Sequence, residues 1–449
     1  MTIHKAERLP VQSGPAAWNA ILPPQAASYP LDENIKVDVA IVGGGFAGLS
    51  AAKRLRQNDP TLRVAVLEAG ALAEGASGRN SGFMIDLPHD LQSDDYAGKG
   101  VEADKQMIAL NRAAISFAKA CVEEYEIEPA YFDPAGKING AVSDTACSLN
   151  ASYADHLAEL GEQSEALDAK QMHEVTGSRY YTSGLYTPGT VMLQPAGYVR
   201  SLGKGLRRDG VKIFEGSPVT EIARSSGQDW VLSTPKGRVS TARVILANNG
   251  HLESFGFARK RLMHVFLYAS MTVELDKDTM SILGGHPRWG ITPSDPMGTT
   301  MRRIDTAQGG NRIVTRTCAS YIPGMVPSEA LVGRAADVHR RKFADRFPAI
   351  ADVPMEYSWA GHLCLSWNGV AVMRELEPGL FSACVDNGLG TVRSTLTGIA
   401  AADLVLNKQS EIAAHFLAED APTKLVPSPF ADIGANIYFR WKEWRAQKE

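Results

Sequence analysis

One stretch constrains this chain more than any other: VDVAIVGGGFAGLSAAKRLRQNDPTLRVAVLEA, from Val37 to Ala69. Its opening, VDVAIV, is a nearly continuous apolar run, as a strand buried in a parallel sheet requires. Gly43, Gly45 and Gly48 then form G-x-G-x-x-G. Gly43 permits a tight turn, Gly45 lets the backbone approach a pyrophosphate, and Gly48 lets a helix pack on the strand. Phe46, Leu49, Ala52 and Leu55 keep helical spacing. Phe46 and Ala47 therefore fall in a first helical turn, where free N–H groups and the helix dipole suit phosphate oxygens. Asn58, Asp59 and Pro60 stop the helix, and RVAVLEA reads as the second strand. Glu68, twenty residues after Gly48 and followed by Ala69, stands where a carboxylate takes both hydroxyls of an adenosine ribose. Arg63 precedes that strand instead of following it, which disfavours recognition of a 2′-phosphate. A glycine turn with no ligand would need none of this context.

The chain has 449 residues, more than one ordinary core holds, so two domains or one domain with an insertion are expected. A net charge of −4 provides no basic field for nucleic acid or acidic membranes. Cys121, Cys147, Cys318, Cys364 and Cys384 are odd in number and widely spaced, without CxxC. That pattern fits free thiols in a reducing compartment, not a disulfide framework or a zinc site. The start lacks an apolar secretory core, and no run of eighteen apolar residues occurs. A soluble, cytoplasmic protein without a transmembrane segment is expected. No G-x-S-x-G elbow and no metal-ligand spacing appear.

A second glycine-rich loop, GASGRNSG, follows at once: Gly75, Ala76, Ser77, Gly78, Arg79, Asn80, Ser81 and Gly82. A third, NGLGT, holds Gly388, Gly390 and Thr391 ahead of a small-residue helix. NAD needs only the first loop. FAD is longer, and its flavin needs backbone-close support far from the adenosine. A helix N-terminus at the flavin's pyrimidine edge would stabilise negative charge on the reduced ring. Three such loops fit FAD better than NAD. An NAD(P)-dependent reductase and a non-catalytic or redox-sensing flavoprotein are the alternatives.

Elsewhere the pattern predicts an α/β fold, a Rossmann-type FAD-binding domain interleaved with a substrate domain on a mixed or antiparallel sheet. Residues 1–35 show no helical or strand period and read as an N-terminal arm. Segments 36–95, 195–255 and 355–430 are assigned to FAD binding, 96–194 and 256–354 to substrate, and 431–449 to a tail. FLYASMTVEL, TTMRRI and NRIVTR alternate as strands of the second sheet do.

DVAIVGGGFAGLSAA, VAVLEA and GASGRNSGF together resemble the D-amino acid oxidase superfamily of FAD enzymes, in the branch of gamma-glutamylputrescine oxidoreductase and the glycine and sarcosine oxidases. The likeness continues through Trp18, LQPAGYVRSL (193–202), VILANNGHL (244–252), WAG (359–361) and the closing glycine loop. It implies FAD held by Gly43, Gly45, Gly48, Glu68 and the Gly75–Gly82 loop, an adenine contact near Val219, and a flavin contact at Gly388, Gly390 and Thr391. Members often carry a histidine in that last loop, where this chain has Leu389. No histidine follows Gly82, and Cys364 lies three residues beyond the position of the sarcosine-oxidase cysteine, so the FAD is expected to be non-covalent.

The resemblance implies oxidation of a C–N bond in an amine or amino acid derivative by hydride transfer to flavin. The imine then hydrolyses, and O2 or another acceptor takes the electrons. The flavin performs the chemistry, so no catalytic side chain is assigned. A substrate carboxylate needs a cation, and the family's strand for it corresponds to TTMRRI. Adjacent strand residues face opposite ways, so one of Arg302 and Arg303 faces the flavin, with Arg303 favoured. Both arginines paired or solvated at a sheet edge is the alternative reading. His264 and Tyr268 share a strand face, and Trp359 and His362 flank the return to the FAD segment. Each is a substrate-site candidate, although packing roles are common for such residues. His251 stands where the family has tyrosine. Asp86, His89 and Asp90 could meet a cationic amine tail, but a solvated loop is the plainer reading. Trp441 and Trp444 sit in a basic tail that docks on the body or on a second subunit in preference to a membrane. The partners are the small-molecule substrate and the electron acceptor, with a homo-oligomer left open.

Overall fold

The computed structural model describes residues 2–25, 29–88, 100–225, 227, 229–295, 297–427, 429–446 and 449. His89 and Asp90 lie outside these described residues.

The VAIV and VAVL runs form the strands Val39–Val42 and Val64–Leu67, buried at every position. They pair in parallel, Val39 opposite Val64, and Arg243–Leu246 pairs in parallel on the other side of Val39–Val42. Lys212–Phe214 and Leu380–Cys384 extend this sheet in parallel, and Val372–Glu377 closes one edge antiparallel. Burial on both faces follows the two-residue period of a strand. Val39 and Ile41 pack with the helices Phe46–Asn58, Gly390–Val405, Pro195–Arg208 and Val101–Tyr125. Ala40 and Val42 pack with Ile222, Trp230, Leu232 and Val239 of a small sheet on the opposite face. The small residues of Gly390–Val405 allow close helix packing: a Cβ on Gly398 would lie 2.1 Å from the Ala47 carbonyl oxygen.

The second large sheet runs in the order Met355–Ser366, Leu262–Thr272, Arg312–Tyr321, Thr300–Ile304, Trp289–Pro293, Lys137–Ala141, Ser183–Thr187 and Glu165–Asp168. Its pairs are antiparallel except Trp289–Pro293 with Lys137–Ala141, which makes the sheet mixed, as the alternating segments predict. Met355–Ser366 belongs to this sheet although its sequence position assigns it to FAD binding. It pairs along its length with Leu262–Thr272, so the return to the first sheet comes only after Ser366.

The N-terminal segment is not an arm lying on the outside. Ile3–Lys5 and Asn34–Lys36 are the two edge strands of the small five-stranded sheet, and Trp18 is fully buried. Strands of three residues carry no readable period, which is why sequence pattern missed them. The tail forms the helix Phe430–Arg445, docked on the body. Ala431, Ala435 and Phe439 pack there beside Val265, Ala319 and Tyr321, and Asn436 exchanges hydrogen bonds with the Tyr321 backbone. Trp441 and Trp444 face outward. Among the described residues no helix is long and apolar enough to cross a membrane.

Candidate active site

Two parts of the first turn accept only glycine. Gly43 has φ +107°, and a Cβ there would sit 2.5 Å from the Ala247 carbonyl oxygen; on Gly48 it would sit 1.9 Å from that of Gly43. The turn, the helix Phe46–Asn58 and the strand Arg243–Leu246 are therefore in backbone contact. Glu68 closes the second strand. Its carboxylate accepts from the Gly44 N–H at 2.7 Å and the Gly70 N–H at 3.0 Å. Burial raises its pKa against those bonds.

The second loop is tied to the first. Ser77 Oγ accepts from the Phe46 N–H at 3.1 Å. Asn80 folds the loop on itself, donating to Ser77 O at 2.7 Å and accepting from the Gly82 N–H at 2.8 Å. Trp18 Nε1 donates to Asn80 O at 2.9 Å, and Trp359 Nε1 donates to Arg79 O at 3.0 Å. The Arg79 guanidinium donates to the carbonyls of Glu74, Ser13, Gly14 and Ala360, at 2.6 to 3.2 Å. Burial pulls its pKa down to about 10. The third loop meets the second where Thr391 Oγ1 donates to Phe83 O at 2.7 Å.

These loops line one cleft of about 310 Å³, at the lower end of the usual range for cofactor and ligand sites. Val219, Glu68, Ala69, Gly43, Gly45, Phe46 and Ala47 line it from the parallel sheet, with Gly75, Ala76, Ser77, Arg79, Asn80, Ser81 and Gly82 of the second loop and Gly388, Gly390 and Thr391 of the third. Phe266, Tyr268, Thr300, Arg316 and His362 line it from the mixed sheet. A half-buried carboxylate, a glycine turn under a helix N-terminus, a second glycine loop and a second helix N-terminus share one cavity. That donor set fits the ribose, pyrophosphate and ring of FAD.

Gly48 and Gly78 support the loops from behind the cleft. A Cβ on Gly78 would clash with Ala73 O at 1.8 Å. Trp359 and His264 also stand one layer back, Trp359 against Arg79 and His264 against His362. Tyr268 and His362 face the cavity, as does His251. Asp86 is buried and paired with Arg112 at 3.0 Å, outside the cavity lining. Cys364 is fully buried and is also outside the lining.

The arginine expectation needs correction. Neither Arg302 nor Arg303 lines the cavity. Arg302 shares the strand face of Thr300 but lies two residues farther along. It is 1 % exposed and donates to the carbonyls of Ser81 (3.1 Å) and Leu193 and to Gln308 Oε1 (3.3 Å). Arg303 points to the other face, where it donates to Gly284 O. Arg316, opposite Thr300 on the next strand, lines the cavity from the mixed sheet, as Arg8 and Arg79 line it from the N-terminal segment and the second loop. Sequence reasoning missed it because which rung meets the cleft depends on strand register. Asp386, largely buried at the third loop and lining the cavity, was missed as well. Burial raises it to about 6, against bonds from the Gly388 N–H and Asn249.

Comparison with known proteins agrees with this geometry. Gamma-glutamylputrescine oxidoreductase of Escherichia coli (strain K12) is 24% identical over 419 residues, covering 91% of this chain and 93% of its own. "Probable oxidoreductase OrdL" of Rhizobium meliloti (strain 1021) is 24% identical over 413 residues, covering 90% and 91%. The structure of glycine oxidase from Geobacillus kaustophilus superimposes with a TM-score of 0.69 at 21% identity, over 87% of this chain and 100% of that one. Residues 38–404 match the family model DAO, described as FAD dependent oxidoreductase, and the chain belongs to that family of FAD-dependent oxidoreductases.

Proposed function

We propose that this protein oxidises the C–N bond of an amine or amino acid derivative with non-covalently bound FAD, and that the imine product hydrolyses in water. FAD, when bound, supplies a two-electron acceptor for hydride. The chain's part is to bind, orient and exclude water. Glu68 and the Gly43–Gly48 turn would hold the adenosine ribose and pyrophosphate, and the loops at Gly82 and Gly390 the ring. The observation that carries the substrate reading is Arg316. Arg316 and Thr300 line the same cavity as the glycine loops, and a cationic residue there suits an anionic group on the substrate. Phe266 and Tyr268 line the cavity beside them and exclude water from the reacting carbon. The names of the relatives, a gamma-glutamylputrescine oxidoreductase and a glycine oxidase, support a nitrogen-bearing substrate. O2 or another oxidant then takes the electrons. The five unpaired cysteines suit a reducing compartment and support a cytoplasmic setting.

The test is anaerobic titration of the holoenzyme, followed by its visible spectrum. The panel spans both enantiomers of amino acids, N-methyl amino acids and acylated polyamines. Bleaching by one class, with recovery of colour on admitting air, is the expected result. A protein that binds FAD and is bleached by none of these classes, while 2-hydroxy acids bleach it, would overturn the C–N assignment.

A further inference from the structure

A row of imidazoles beside the cleft has no part in the reaction as derived so far. His362 lines the cavity and stacks on Phe266 with ring centres 5.0 Å apart. His362 Nε2 lies 3.2 Å from His264 Nδ1, and His264 Nε2 lies 2.8 Å from Glu253 Oε2. His264 is enclosed, whereas the Glu253 side chain is 24% exposed. The row therefore runs from the cavity, through one interior imidazole, to solvent. The Lys260 N–H fixes the outer end, donating to Glu253 Oε1 at 2.7 Å.

The carboxylate orders the row. It accepts from His264 Nε2–H, which leaves His264 Nδ1 to accept from His362 Nε2–H. The lone pair of His362 Nδ1 is then free of the row and able to take a proton. We propose that Glu253, His264 and His362 form a relay that removes the proton from the substrate's ammonium nitrogen and delivers it to solvent. This rests on the amine reading above. In the step, one N–H bond of the ammonium breaks and one forms at His362 Nδ1. The His362 Nε2 proton moves to His264 Nδ1, and the His264 Nε2 proton moves to Glu253. No electrons leave the nitrogen, which keeps the lone pair that hydride loss from its carbon requires.

The surroundings favour onward transfer. Around the row stand His251, with ring centres 6.1 Å from His362, Arg8 of the N-terminal segment, and the neutral side chains of Tyr321 and Cys364. Burial first, then His264 and His251, hold His362 well below its ordinary value, so a proton there is passed on and not kept. Burial acts to raise Glu253, but bonds from His264 and Lys260 outweigh it and keep the carboxylate ionised. His362 would touch the substrate; His264 and Glu253 act through it as positioning residues.

The test follows anaerobic bleaching of the holoenzyme by its best amine against pH, in the wild type, Glu253→Gln and His264→Gln. An alkylammonium has a pKa of about 10, so without a relay the rate climbs about tenfold per pH unit toward that value. Where proton loss through the row, and not the equilibrium share of neutral amine, sets the rate, the wild type is expected to be nearly flat from neutrality upward. Both variants are expected to be slow at neutral pH, to climb with that slope, and to approach the wild type at high pH. A variant profile parallel to the wild type, whether lowered or unchanged, overturns the relay. If no amine bleaches the wild type, the amine reading fails instead. The row is then read without substrate, from the imidazole nitrogen-15 spectrum of the holoenzyme. His264 protonated at Nε2 and accepting at Nδ1 supports it; the opposite tautomer overturns it.

Discussion

Arg302 and Arg316 lie on neighbouring strands and on the same sheet face, yet their surroundings give them different tasks. Arg302 donates to the carbonyls of Ser81 and Leu193 and to the Gln308 amide oxygen, and Trp18 lies under its guanidinium at 5.0 Å. It fixes Ser81 of the second glycine loop to the strand Val191–Leu193. Arg302→Met keeps the apolar stem and removes the donors, at about 1–3 kcal/mol for each carbonyl left unpaired. Lower thermal stability and weaker FAD retention are expected, with the preference among substrates unchanged. Arg316→Met is expected to lower kcat/KM about ten- to a hundredfold for carboxylated amines only, since one charge-assisted bond is worth about 1.5–3 kcal/mol. Steady-state kinetics on a carboxylated amine and its decarboxylated counterpart decides between them. A shifted preference in the Arg302 variant, or an equal loss on both substrates in the Arg316 variant, would sink these assignments. TTMRRI was legible as a cation-bearing strand. Which arginine meets the cleft was not, because the turn after Ile304 sets Thr300 opposite Arg316, and strand composition does not encode that register.

At the scale of elements, the helix Glu329–Arg346 shows how a legible pattern conceals a polar contact. Ala335, His339, Phe343 and Arg346 fall at helical spacing and are its buried positions, so the helix could be read directly. Which partners His339 meets could not. It lies between two strands of the mixed sheet, with Nδ1 at 2.7 Å from Ser270 Oγ and Nε2 at 3.3 Å from the Thr317 N–H. Burial holds its imidazole at about 4, against 6.5 in an unfolded chain. The unfolded chain takes a proton that the folded one refuses. The stability is therefore present above about pH 6.5 and is lost as pH falls toward 4, by roughly 3 kcal/mol over the window. His251 titrates in the same sense, so the wild type carries more than one such share. His339→Gln removes one. Denaturant unfolding at pH 7 and 4.5 is expected to show a smaller acid loss in the variant; equal losses would mean that His339 does not set the acid sensitivity. The short edge strands Ile3–Lys5 and Asn34–Lys36 were not legible at all. Their partners lie far along the chain, and three residues cannot show a period.

Across the whole molecule, the cleft draws on segments from the N-terminal residues Arg8 to Gln12 through Ser394. The parallel sheet, the mixed sheet and the N-terminal segment all supply part of its wall, so a ligand that fills it ties them together. The first glycine turn was legible because a turn is local: Gly43, Gly45 and Gly48 need only their neighbours to be recognised. The cavity wall from the mixed sheet was not, since it exists only once two sheets have met. The same reasoning makes FAD a stabiliser of the whole fold. Free cofactor at a hundredfold above its Kd adds about 2.7 kcal/mol to the stability of a state that alone binds it. Apoprotein is therefore expected to unfold at a lower temperature than holoprotein, with a Tm that climbs as FAD is added back. Gly43→Ala tests where that coupling enters. Its methyl group would meet Ala247 O at 2.5 Å, at a φ that L residues rarely adopt. The variant is expected to bind FAD weakly and to show little FAD-dependent shift in Tm, even where its apo form still unfolds cooperatively. A wild-type Tm indifferent to FAD would separate the cleft from the stability of the fold, whereas a full shift in the variant would move pyrophosphate recognition away from the first glycine turn.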